Sequence, residues 1–251
     1  MVIAVAAIAF AADDTVHEAI GHGLACWVLG IKVLSISTVA LQAAESSRWL
    51  SAAGALANVV AGIAAFASFG RLQGFTTFRY FLWLFGFANL MNGTGYLMAS
   101  ALFNNGDWAV VIAGWTPAWA WRAGMGLTGL LAFYGSIRWA SALMGNLVSG
   151  GLVAARDVSR LCVPAYITGG LMFVAASALN RITPGLILGS GVGASFGLTF
   201  GLLIVPGITT TVVTIDGLQP RTLTLHWGWV ITAAVVGGVF IAVFGPGIHL
   251  N

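Results

Sequence analysis

The chain has 251 residues, of which 59% are hydrophobic and only 7% are charged, and its formal net charge is +3. An ordinary soluble domain carries about 25% charged residues, so this chain has too little charge to cover a water-facing surface. Its Lys and Arg residues stand singly, without a basic stripe interleaved with aromatic side chains, which argues against nucleic-acid binding. The composition predicts an integral, multi-pass membrane protein surrounded by the lipid bilayer.

Apolar runs long enough to cross a hydrocarbon core recur along the whole chain, and they predict an all-α protein of about six or seven transmembrane helices. The first run has no basic n-region, so we interpret it as a retained helix and not as a signal peptide. No linker or internal repeat divides the chain, which predicts one transmembrane domain over residues 1–251. The predicted spans are residues 2–29, 49–69, 80–103, 117–143, 163–179, 185–205 and 227–244.

Two segments predict short β-hairpins at the membrane surface. Residues 31–40, IKVLSISTVA, alternate and are rich in β-branched residues, which is typical of a short strand or hairpin. Such a strand could pair with an extended substrate. The segments TTTVVTIDG and RTLTLHW predict a second hairpin with its turn near Asp216 and Gly217.

The first helix contains ionisable residues in the stretch VHEAIGHG, where His17, Glu18 and His22 follow one another. Such residues are costly inside a membrane and mark either a functional site or a paired structural network. Two imidazoles and a carboxylate within about one and a half turns suit a Zn²⁺ site in which the Glu takes a proton from water on the metal. The pattern favours metal-assisted hydrolysis, and a hydrogen-bonded network that fixes helix packing is the alternative.

The spacing of these residues leaves two arrangements open. His17 and His22 are five residues apart, which places them roughly 140° apart around a regular α-helix. A π-bulge, with hydrogen bonds from i to i+5, would return both to one face, and Gly21 and Gly23 permit that distortion. Without it, Glu18 and His22 form the natural i,i+4 pair, and the site would lack a base.

The residues HEAIGHG, followed by GALANVVAG on the next helix, resemble the site-2 protease family of intramembrane zinc metalloproteases. That family has HExxH on one helix, Gly-x-x-x-Asn on the next and an Asp ligand on a third, whereas this chain reads HExxxH. The resemblance covers residues 1–110, which would form the metal core. It leaves residues 111–251 as additional transmembrane helices.

The resemblance implies zinc ligands at His17, His22 and Asp107 and a catalytic base at Glu18. The implied reaction is peptide-bond hydrolysis by zinc-bound water, on a membrane-protein substrate, in a bacterial cytoplasmic membrane. The third helix lacks the prolines of the family's Asn-Pro loop. NNGDW reads equally well as a turn in which Asp107 caps a helix.

Other polar residues have both a structural and a functional interpretation. Asp13 and Asp14 could reinforce the site or line a water path, although Asp14 would only cap a helix that begins near Thr15. Three asparagines are expected to join helices by hydrogen bonds, and the last two could instead hold a substrate strand: Asn58, Asn89 and Asn92. We expect interfacial, structural roles for His226 and His249, and buried free thiols at Cys26 and Cys162.

Three rival functions remain open at this stage. The first is a non-catalytic scaffold or accessory subunit of a membrane complex with a degenerate metalloprotease-like fold. The second is an iron-dependent oxidase or hydroxylase, for which the four histidines are few. The third is a transporter, which no paired repeat supports.

Overall fold

The chain begins with one continuous helical rod. The computed structural model describes residues 1–182, 187–209 and 222–250. The rod consists of α1 (Val2–Thr15), a π-helical segment (Val16–His22) and α2 (Gly23–Leu29). Gly30 ends it with φ 67°, since glycine enters the left-handed region without a Cβ clash. Because the helix runs through Thr15 without a break, Asp14 is not a cap, and that interpretation of Asp14 is wrong.

The rest of the described chain is mostly helical. Two helices start at capping residues, since the side chains of Ser47 and Thr76 accept hydrogen bonds from backbone N–H groups of the first turn. The helical elements after the rod are α3 (Arg48–Arg71), α4 (Thr77–Phe103), α5 (Asp107–Val111), α6 (Ala118–Ser149), a 3₁₀ turn (Ala155–Asp157), α7 (Val158–Ala178), a π-helical stretch (Ile187–Leu198), α8 (Gly201–Thr209), α9 (Trp227–Val239) and a last π-helical turn (Phe240–Phe244).

A small antiparallel sheet lies beside the rod. Its strands β1 (Val33–Ile36), β2 (Leu41–Ala43) and β3 (Ile248–His249) have the order β2-β1-β3. The β1–β2 hairpin is the one that the alternation of residues 31–40 predicts. The β3 strand has only 2 residues, too few to show the alternation from which a strand is predicted. The turn of the second predicted hairpin, at residues 216–217, lies outside the described residues.

Four of the described helical segments are long and apolar enough to cross a membrane, which is fewer than the predicted six or seven: Arg48–Arg71, Ala155–Ala178, Gly191–Thr209 and Trp227–Phe244. The reason lies in the polar residues of the other long helices. The rod carries Asp13, Asp14 and Glu18, and α6 carries Arg122 and Arg138. The finding is a mostly helical protein whose four apolar helices are consistent with a membrane location.

The helix α4 runs through the core and holds its neighbours by buried polar contacts. The phenol of Tyr80 donates to the carbonyl oxygen of Leu161 at 2.7 Å, and the indole of Trp83 donates to that of Ala140 at 3.0 Å. Both aromatic side chains are fully buried, so their polar ends need these partners. They tie α4 to α7 and α6, and they fix the helix that leads into the Asp107 loop.

Candidate metal centre

The π-helical segment brings the two histidines of the motif onto one face of the rod. The imidazole rings of His17 and His22 have centroids 4.9 Å apart and an interplanar angle of 82°. Of the two arrangements that the sequence leaves open, the structure has the π-helical one, and it spans all seven residues from Val16 to His22. A π-helix bonds residue i to i+5, so a five-residue separation becomes one turn.

The loop after α4 brings Asp107 to the same place. Its carboxylate Oδ2 lies 3.2 Å from Nε2 of His17 and 3.6 Å from Nε2 of His22. Asp107 is the first residue of α5, and the cap position before it is held by Gly106 without a side-chain cap bond. One donor atom from each of the three side chains lies within 4.8 Å of the others. The structure thus places together the three side chains that the resemblance implied as ligands.

Hydrogen bonds from behind set the tautomers of both imidazoles. Nδ1 of His22 lies 2.8 Å from the carbonyl oxygen of Leu50, which can only accept, so this nitrogen carries the proton. Nδ1 of His17 lies 2.6 Å from Oδ1 of Asn58, whose own Nδ2 donates elsewhere. In the neutral rings both Nε2 atoms therefore present lone pairs toward Asp107.

In the neutral rings, these three lone-pair-bearing atoms would repel one another unless a metal cation, or a proton on one of the Nε2 atoms, lies among them. Two imidazole nitrogens and a carboxylate oxygen are the donor set of a catalytic zinc site with an open fourth position. Tetrahedral zinc with bonds of 2.0–2.2 Å holds neighbouring ligand atoms roughly 3.3 Å apart. The separations of Asp107 Oδ2 from the two Nε2 atoms, 3.2 Å and 3.6 Å, bracket that value, and all three donor atoms lie within 4.8 Å of one another, so these side chains are compatible with the ion.

A close crossing of α3 over the π-helical segment makes room for this geometry. A Cβ atom on Gly54 would lie 2.5 Å from Nε2 of His22 and 2.8 Å from Nε2 of His17. A Cβ atom on Gly21 would lie 2.5 Å from the Cα atom of Gly54. Both glycines are therefore required at the crossing. One turn later in α3, Oδ1 of Asn58 accepts a hydrogen bond from Nδ1 of His17. The same stretch of α3 therefore leaves space for the two imidazoles and orients one of them.

Behind His17 a buried polar network connects the rod to α3 and α4. Nδ2 of Asn58 donates to Oδ1 of Asp13 at 2.9 Å and to Oδ1 of Asn89 at 2.9 Å. Nδ2 of Asn92 donates to the other carboxylate oxygen of Asp13, and Asp13 is fully buried. The asparagines join the helices as expected, and Asp13 supports the site through Asn58.

A cavity of about 470 Å³ opens onto the three candidate ligands and Glu18. Glu18 is buried, with 7% of its surface exposed. A carboxylate next to these donor atoms can accept a proton from water in the cavity. The other lining residues come from the β1–β2 hairpin, the start of α3, α4 and the Asp107 loop: Val39, Ala40, Leu41, Ala43, Ala44, Glu45, Ser46, Leu50, Ser51, Tyr96, Asn105 and Gly106.

Two parts of the arrangement carry no sequence signal. The carbonyl oxygen of Leu50 is a backbone group, which every residue possesses. Arg48 donates to the carbonyl oxygen of Ala113 at 2.7 Å and lies 5.4 Å from the ring centroid of Trp115. These contacts hold the far end of the segment that carries Asp107, and only the folded chain reveals them.

The remaining histidines and the cysteines lie apart from these donors. His226 contacts Oγ1 of Thr224 at 3.0 Å, and His249 lies in β3. Cys26 and Cys162 are free and buried, as expected.

In comparisons with family models, with curated proteins and with solved structures, the chain matches none of them. A functional assignment therefore depends on the motif residues and on the geometry described above.

Proposed function

We propose that this protein is a zinc-dependent membrane hydrolase that cleaves peptide bonds, as its resemblance to the site-2 proteases implies. His17, His22 and Asp107 would hold the ion, and Glu18 would be the base. The observation that carries the proposal is the convergence of Nε2 of His17, Nε2 of His22 and a carboxylate oxygen of Asp107, with Nδ1 of both imidazoles hydrogen-bonded from behind. The π-helical segment supports it by offsetting the unusual spacing of the histidines.

A bound zinc ion supplies Lewis-acid activation of water and of the substrate carbonyl. Glu18 accepts one proton from the attacking water, whose oxygen adds to the peptide carbonyl carbon. Glu18 then delivers that proton to the amide nitrogen as the C–N bond breaks. The products are a carboxylic acid and an amine, so no further reactant is needed.

The proposed substrate is a segment of another membrane protein, because the rod that carries the site would lie within the bilayer. The rod packs against α4, α7 and α9, and α7 and α9 lie within two of the four apolar segments. With the rod, α4 and α6 added to the four apolar helices, the protein would have about seven spans. Residues 1–110 would form the metal core of this single domain.

The test is elemental analysis of purified protein, comparing wild type with His22→Ala, Asp107→Ala and the control His226→Ala. We expect near-stoichiometric zinc in the wild type and the control, and little in the two ligand variants. The visible spectrum of the Co²⁺-substituted protein gives a second readout that needs no substrate. Glu18→Gln should keep the metal and lose cleavage of a reconstituted membrane substrate.

Absence of metal from the wild type would overturn the hydrolase proposal. It would favour a non-catalytic accessory subunit of a membrane complex, in which direct contacts of His17 and His22 with Asp107 join the rod to α5 without a metal.

A further inference from the structure

A second, smaller cavity adjoins the metal cavity and shares Glu18 with it. Its volume is about 30 Å³, which suffices for one water molecule. It lies between the rod, the β1–β2 turn, α4 and α7, and its lining residues include Asp14, Glu18, Thr38, Asn92 and Phe173. It is therefore a buried space with several polar groups in its wall.

Three buried polar atoms of this wall have no hydrogen-bond partner among the described residues: Oε2 of Glu18, Oγ1 of Thr38 and Oδ1 of Asn92. The described part of the chain holds six such atoms, so half of them line this one small cavity. Buried polar groups in native proteins are nearly always paired with protein or with ordered water. The clustering points to a shared ligand inside the cavity.

The hydrogen-bonding capacities of the three atoms match those of one water molecule. The carboxylate and amide oxygens can only accept, and Nδ2 of Asn92 is already engaged with Asp13. The hydroxyl of Thr38 can donate. Water offers two donors and two acceptor positions, so it can donate to Glu18 and Asn92 and accept from Thr38.

We propose that this cavity is a specific water site, and that Thr38 and Asn92 are positioning residues that hold Glu18 through that water. The backbone of Leu41 lies next to the same carboxylate, and Leu41 lines the metal cavity. Glu18 thus lies between the small cavity and the metal cavity. The water site follows from the unpartnered atoms alone, whereas the positioning role rests on the proposed function.

The first test is a structure of the zinc-loaded wild-type protein at a resolution that shows ordered water. We expect one peak within hydrogen-bond distance, about 2.7–3.2 Å, of all three unpartnered atoms. An empty cavity would overturn the proposal, and so would an ion at distances shorter than hydrogen bonds. This result does not depend on any variant folding.

The second test compares Thr38→Val, Thr38→Ser and the matched control Thr168→Val, whose hydroxyl bonds to Pro164 within α7. The readout is the infrared carboxylate band of Glu18, identified by its loss in Glu18→Gln. We expect Thr38→Val to shift this band, and Thr38→Ser and the control to keep it in place. An unshifted band in Thr38→Val would overturn the positioning role.

Zinc content, measured in the same samples, separates this inference from the proposed function. Thr38 is not among the candidate ligands, so Thr38→Val should keep its zinc while the carboxylate band shifts. A protein without zinc that still shows the water would disprove the hydrolase and support the water site. A zinc-loaded protein without the water would support the metal site and overturn the water site.

Discussion

Nδ1 of His22 donates to the carbonyl oxygen of Leu50, which lies 28 positions later in the chain and 2.8 Å away. The first turn of α3 thus decides which nitrogen of an imidazole on the rod carries a proton. A carbonyl oxygen cannot reverse its role, so this bond admits one tautomer of the neutral ring. The rod and α3 therefore interact through a specific hydrogen bond as well as through close packing.

We expect zinc to stabilise the folded protein. An ion that binds only the native state at about 100 times its Kd adds about 2.7 kcal/mol. Thermal unfolding of detergent-solubilised protein, with zinc and with a chelator, measures this effect. His22→Ala should lose the shift and His226→Ala should keep it, so equal shifts in both variants would contradict a site at His22.

Gly54→Ala is expected to remove most of the bound zinc. The new methyl group would lie 2.5 Å from Nε2 of His22, where it would displace the ligand atoms or the ion. Gly70→Ala, at the other end of α3, meets nothing within 4 Å and serves as the matched control. Elemental analysis checks both variants, and full zinc occupancy in Gly54→Ala would show that α3 does not cross the π-helical segment this closely.

Asn58→Leu should weaken zinc binding by roughly 10- to 100-fold, the usual effect of removing a partner that orients a ligand. The substitution removes the acceptor for Nδ1 of His17 while every candidate ligand stays in place. Competition with a chromophoric chelator measures the affinity. Asn146→Leu changes an exposed residue of α6 and should bind zinc like wild type; an unchanged affinity in Asn58→Leu would assign that residue to helix packing only.

Arg48→Gln should also lower zinc affinity, but by less than Asn58→Leu. Its guanidinium bonds to the carbonyl oxygen of Ala113, beyond α5, so its loss frees the segment that presents Asp107. Arg71→Gln, an exposed change at the opposite end of α3, is the control for loss of charge. Equal affinities in the two variants would mean that Asp107 is held without Arg48.

Tyr80→Phe tests the core separately from the metal. Losing the phenol leaves the carbonyl oxygen of Leu161 without this donor and should cost about 1 kcal/mol of unfolding free energy. Tyr134→Phe, at an exposed position, should cost much less. Unfolding in denaturant with chelator present isolates this effect from zinc binding, and equal stabilities would contradict the buried hydrogen bond.

Local sequence patterns predict much of this fold, because alternating residues mark strands and glycines mark helix ends over short stretches of sequence. The end of the rod at Gly30 and the β1–β2 hairpin follow from short-range signals. The number of apolar spans does not, since polar residues such as Asp13 and Arg138 lower the hydropathy of helices that are nevertheless long. Counting apolar runs in the sequence therefore predicts more membrane spans than the four described helices that are long and apolar enough to cross a membrane.

The candidate site divides in the same way. Histidines spaced along one helix predict their own proximity once the π-bulge is considered, and the motif resemblance names Asp107. The partners that orient them depend on chain crossings between distant residues. Asn58 opposite His17 is suggested by the motif string, whereas the carbonyl of Leu50 and the three unpartnered atoms around the small cavity emerge only from the folded arrangement.

The π-helical segment allows two histidines that are five residues apart to lie on one face of a helix. Between His17 and His22 the chain holds one residue more than the usual zinc-binding helix, yet the extra residue is taken up by the wider turn. The two histidines are about one turn apart in both cases, although the spacing in the sequence differs. A search for metal-binding helices should therefore measure separation in turns, and it should admit a five-residue interval wherever glycine allows the helix to widen.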